Sequence, residues 1–174
     1  MKNIIAITLC VLSLSSYSFA AERSPASSSR RPLTYDLSGG VGSYNGNSYT
    51  ELDLGLNWWV QDWLNWRNSI FTQFGSTINT VYGLDTALLV EGSLYTEGRG
   101  FGVDVFAGPG LRFANEDSNG AFAKAGLVFN LGGLRIGGGA QVTHYYTTRT
   151  DKNDVKLPDD EVQYFIILSG GGSF

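Results

Sequence analysis

Residues 48–60 read Ser48-Tyr49-Thr50-Glu51-Leu52-Asp53-Leu54-Gly55-Leu56-Asn57-Trp58-Trp59-Val60. Glu51 and Asp53 share one parity, and Leu52, Leu54, Leu56, Trp58 and Val60 share the other, the period-2 pattern of a strand with two unlike faces. The same alternation recurs along the chain and predicts eight strands, at 33–44, 48–60, 64–75, 82–95, 101–113, 121–131, 134–149 and 161–174. Their charged residues are Asp36, Glu51, Asp53, Arg67, Asp85, Glu91, Asp104, Arg112, Lys124, Arg135, Arg149 and Glu161. Wherever one strand holds two of these, as in 51/53, 85/91, 104/112 and 135/149, they share parity. The opposite parity carries no charge in any strand, only residues such as Leu37, Leu54, Ile70, Leu88, Val105, Leu127, Ile136 and Ile166.

A soluble sandwich also alternates, but nothing makes it sort aromatics by height. Traced up and down, the apolar face ends at one rim in Tyr35, Trp58, Trp66, Phe101, Phe129 and Phe174, and at the other in Phe74, Tyr82, Phe113, Tyr146 and Tyr164. Phe101 and Phe113 stand twelve residues apart. At a rise of about 3.3 Å and a tilt near 40° that gives roughly 30 Å, close to the height of a lipid-facing band. Hydrocarbon offers backbone groups no partners, so such a sheet must close on itself. The expected fold is an all-β, eight-stranded, antiparallel up-and-down transmembrane barrel spanning 33–174. Asp36, Glu51, Asp53, Arg67, Asp85, Glu91, Asp104, Arg112, Lys124 and Arg135 then point into its lumen and form an ion-pair network, because a charge taken from water must be paired.

Residues 1–20, with Lys2, an apolar run from Ile4 to Leu14 and the ending Ser18-Phe19-Ala20, read as a secretory signal peptide, and the Ser-, Arg- and Pro-rich 21–32 as a flexible periplasmic tail. Cleavage there removes Cys10, the sole cysteine of the 174 residues, and with it disulfides, thiol catalysis and cysteine metal sites. A net charge of −4 argues against a nucleic-acid binder. Asn45-Gly46-Asn47 and Gly132-Gly133 are hairpin signals, and the longest connector, Thr150 to Asp160, falls on the odd-numbered, outer side of a barrel whose termini are both periplasmic. Pro109 lies on the lipid phase of the fifth strand and predicts a bulge or a local irregularity there.

The pattern over 33–174 resembles the small eight-stranded outer-membrane barrels, such as the OmpA transmembrane domain, OmpX and OmpW. The final strand, Val162 to Phe174 with its terminal Phe, is similar to the C-terminal signal by which such proteins are recognised. The resemblance implies the barrel-assembly machinery as a partner during biogenesis, and it leaves the role open, because members of this class diverge widely in function.

Candidate chemistry is sparse. His144 is the only histidine, and the position two residues on, where an activated hydroxyl would stand in a lipid-deacylating barrel, holds Tyr146. An imidazole in the interfacial girdle is the simpler reading. Asp151, Asp154, Asp159 and Asp160 match no EF-hand spacing and share their loop with Lys152 and Lys156, which suits a solvated loop. Inward glycines at 40, 42, 55, 108, 126, 137 and 139 alternate with large inward residues, as they must in a lumen just wide enough for side chains. The sequence therefore predicts a monomeric, non-enzymatic outer-membrane protein without cofactor or metal, in contact with outer-membrane lipids and lipopolysaccharide, serving envelope structure or surface interaction. A lipid-modifying enzyme and a passive carrier of small hydrophobic molecules are the alternatives.

Overall fold

A computed structural model of the chain describes residues 33–44, 47–95, 101–131 and 134–170. Eight strands follow one another: β1 (Leu33–Tyr44), β2 (Asn47–Gln61), β3 (Leu64–Phe74), β4 (Val81–Tyr95), β5 (Phe101–Ala114), β6 (Gly120–Leu131), β7 (Leu134–Tyr145) and β8 (Asp160–Gly170). Each pairs antiparallel with the next, and β8 returns to β1, from Leu37↔Leu168 to Gly42↔Gln163, closing a barrel. The signal peptide and tail expected at 1–32, the connector 96–100, the turn residues Asn45, Gly46, Gly132 and Gly133, and Phe174 lie outside the described residues.

Closure converts the two parities of the sequence into an inside and an outside. Leu54 is 49% exposed and Val105 50%, while their neighbours Asp53 and Asp104 are each 2% exposed. The polar parity is thus the interior and the aliphatic parity the exterior, the inverse of a water-soluble sheet protein. Part of the interior is apolar: the rings of Phe106 and Phe165 lie 6.3 Å apart at 28°. They fit because the neighbouring strands offer no side chain beneath them. A Cβ on Gly126 would stand 2.7 Å from Phe106 Cζ, and one on Gly139 would stand 2.8 Å from Phe165 Cζ.

One local expectation needs correction. The seventh strand ends at Tyr145 and not at 149, since β8 begins only at Asp160, opposite His144, and β6 begins at Gly120, opposite Tyr145. Beyond that height neither neighbour offers a ladder. The irregularity expected at Pro109 is present as a one-sided gap in pairing and not as a bulge. Pairing of β5 with β6 runs unbroken through Pro109↔Ala123, and pairing with β4 lapses between Ala87↔Gly110 and Val90↔Ala107 without a change of register. The missing Pro N–H therefore costs rungs on one side only. A register shift occurs instead at Trp59–Gln61, against β3.

Gly126→Leu should lower the unfolding free energy by about 1–3 kcal/mol through overpacking against Phe106. Gly92→Ala, whose Cβ would meet only Val105 Cγ2 at 3.6 Å, should be nearly neutral. Urea unfolding of the detergent-folded barrel, followed by tryptophan fluorescence, measures both.

Candidate functional site

The inward charges converge on the mid-height of the barrel because the registers bring their strands together. Asp85 and Arg112 are cross-strand partners in β4 and β5. Arg112, 1% exposed, donates to Asp85 through Nε (2.9 Å) and Nη2 (2.7 Å), a bidentate fork, and its Nη2 also lies 3.0 Å from Glu51 Oε2. Gln163 of β8 donates to Glu51 Oε1 at 2.8 Å, tying the closing strand to the cluster. Phe71 covers the guanidinium at 3.9 Å. Planar, bidentate pairing is what allows a guanidinium to sit this deep.

A second assembly fills β1 to β4. Arg67 holds Asp36 through Nη2 (2.8 Å) and Nε (3.3 Å) and donates to Ser69 Oγ at 2.9 Å. Asn57 donates to Asp36 Oδ2 at 2.5 Å, and Asn65 donates to both Asn57 Oδ1 and Glu91 Oε1. Asp53 accepts from Ser38 and Ser69. Arg135 pairs with Asp104 at 2.7 Å. Lys124 is different: its Nζ lies 4.4 Å over the Phe165 ring, and among the described residues no carboxylate pairs with it. The carboxylate oxygens of Glu51, Asp53 and Asp85 lie within 4.8 Å of one another, close enough for a cation, but Arg112 already bonds two of the three.

Two small cavities flank this plug. One, of about 40 Å³, opens toward the rim of the short turns and is lined by Asp36, Trp59, Arg67, Leu89, Lys124 and Arg135 among others. The other, of about 20 Å³, lies under the opposite rim between Tyr44, Tyr49, Gln73, Leu157 and Glu161. None of Glu51, Asp53, Asp85 and Arg112 lines either cavity.

The connector 146–159 is solvated at Lys152, Asp154, Lys156 and Asp159, which are exposed, but it is also anchored to the barrel. Leu157 is buried beside Tyr44, Tyr49 and Ile78. Arg149 stacks on Tyr145 and reaches Glu161 at 3.2 Å, and Lys152 Nζ donates to the carbonyls of Gly75 and Ser76. Asp151 accepts from the backbone N–H groups of Asn153 and Val155. The loop folds over the mouth as a cap. The inward parity of Arg149 and the single large aliphatic Leu157 were the available signals.

On the outer surface Trp58, Trp66, Phe74, Tyr82, Phe101, Phe113, Phe129, Tyr146 and Tyr164 are all exposed, and Tyr35 is half-buried. Trp58 and Trp66, cross-strand partners, stack at 5.9 Å, and Trp66 Nε1 donates to Thr86. His144 Nδ1 meets Asp160 Oδ1 at 2.7 Å, with both side chains largely exposed. Residues missed by a reading centred on charges are the neutral connectors Ser38, Asn57, Asn65, Ser69 and Gln163, which share the inward parity.

No protein-family model and no curated protein matches the chain. Among solved structures it is similar to Neisserial surface protein A (NspA), at 12% identity over 79% of this chain and 95% of that one, with a TM-score of 0.49.

Arg112→Ala leaves Glu51 and Asp85 buried without their cation and should cost about 3–5 kcal/mol. Lys156→Ala, which breaks an exposed pair with Asp159 at 3.7 Å, should cost less than about 1 kcal/mol. Chemical unfolding in the same detergent compares them.

Proposed function

We propose that the chain is an integral protein of a Gram-negative outer membrane, a monomeric barrel with a plugged lumen that serves envelope structure or surface contacts and performs no catalysis. The observation that supports this most is the sign of the partition. A closed sheet with no edge puts Leu54, Val105 and Ile166 outside and Arg112, Glu51 and Asp53 within, which is stable only where the exterior meets acyl chains. The aromatics near both rims suit the two interfaces of such a membrane. The connectors 62–63, 96–100 and 132–133 and the start of β1 and end of β8 share one rim, assigned to the periplasm, and the connectors 45–46, 75–80, 115–119 and 146–159, which include the two longest, share the other. Outer-membrane lipids and lipopolysaccharide are then its surroundings, and the barrel-assembly machinery its partner in biogenesis.

The plug disfavours the carrier reading, since buried ion pairs separate the two cavities. The His144–Asp160 pair orients an imidazole at the outer rim and keeps a lipid-modifying reading open to test.

In a bilayer Leu54→Arg should destabilise the folded barrel by about 2–4 kcal/mol, a depth-dependent penalty that a water-facing site would not impose. Reversible unfolding from liposomes measures it, and a neutral result would sink the membrane assignment. The protein should also resist carbonate extraction and migrate differently on a denaturing gel before and after boiling. Expression should leave lipid A mass unchanged. A mass change abolished by His144→Ala would replace this reading with the enzymatic one.

A further inference from the structure

The cavity beneath the short turns is lined by one cation that makes no direct ion pair among the described residues. Of its ionisable lining residues, Asp36 is held by Arg67 and Asn57, Glu91 accepts from Asn65, and Arg135 is paired with Asp104. Lys124 remains. It is 4% exposed, and among the described residues neither a carboxylate nor a carbonyl accepts a bond from its Nζ, which rests over Phe165. An ammonium carries three donors, and here they are left to whatever occupies the cavity. The next cation on the lining, Arg67, adds to the positive character of this wall. Leu89, Phe106 and Val128, on β4, β5 and Lys124's own strand β6, supply apolar lining beside it.

An ammonium without a hydrogen-bond acceptor among the described residues, set beside an apolar surface, selects a ligand with an anionic end and a short hydrocarbon end. The volume of about 40 Å³ is about three times what one water needs, so a ligand of a few heavy atoms fits and a lipid or a sugar does not. We propose that this vestibule binds a small monocarboxylate, its carboxylate on Lys124 Nζ and its alkyl group against Leu89, Phe106 and Val128. The site rests on the barrel's interior alone and stands or falls independently of the membrane assignment.

The test is a titration of the full-length folded protein in detergent with sodium acetate at constant ionic strength, followed by NMR. Saturable shifts are expected in the Lys124 Nζ signal and in the indole N–H of Trp59, which lines the same cavity, with those of Trp58, Trp63 and Trp66 unmoved. Lys124→Met should weaken acetate binding by at least about tenfold, as loss of a hydrogen bond to a charged group implies. Lys156→Met, on the far rim, should leave it unchanged. The wild-type shifts decide the matter even if Lys124→Met does not fold. No saturable shift, meaning that water alone occupies the cavity, overturns the proposal. So do equal shifts with sodium chloride, or acetate binding that survives Lys124→Met in a folded barrel.

Discussion

Everything in this molecule depends on the hydrogen-bonded seam between β1 and β8. An open eight-stranded sheet presents two faces and two edges, and its alternation only says that the faces differ. Once the first and last strands pair, the edges vanish and one face becomes a small enclosed space. The enclosed face is the polar one. Side chains that would be unremarkable on a surface are therefore forced into contact, and each carboxylate must find a donor within the width of the barrel.

The solution is a division of labour among side chains of different reach. Arginines span the lumen and fork onto carboxylates, as Arg112 does across β2, β4 and β5 and Arg67 does across β1 and β3. Short neutral groups then relay the remaining bonds: Asn57 and Asn65 link Asp36 to Glu91, and Ser69 links Arg67 to Asp53. Breaking such a network at one point strands several partners, whereas replacing it wholesale by hydrocarbon need not destabilise. Its presence is better explained by the fixed arrangement it imposes on the strands than by raw stability. The glycines under Phe106 and Phe165 work toward the same end by giving the aromatic half of the lumen a defined packing.

The number of strands, their order and the segregation of charge were legible because period-2 alternation is a local property, and closure follows from it once the apolar face is long and ungrouped with any helix. The face of each inward charge could be assigned from Glu51 and Asp53 outward. Which cation meets which anion could not, since Arg112 meets Glu51 from 61 positions away in sequence and the pairing depends on register around the whole circumference. The solitude of Lys124 was hidden for the same reason. The cap over the mouth was illegible because its polar residues bond to backbone carbonyls of another loop, as Lys152 does with Gly75 and Ser76, and no periodicity announces that. The irregularity expected at Pro109 is a gap and not a bulge on a simpler ground: a ring without an N–H need remove bonds toward only one neighbour.

That one-sided loss makes the cylinder wall uneven in stiffness. Between Ala87↔Gly110 and Val90↔Ala107 the β4–β5 joint lacks two successive rungs at a height where β5 stays fully laced to β6. Under lateral tension a tube yields along its least stitched line, so strain imposed on the wall would concentrate beside the proline. The carbonyl of Leu88, pressed against Gly108, marks where the wall would first gape.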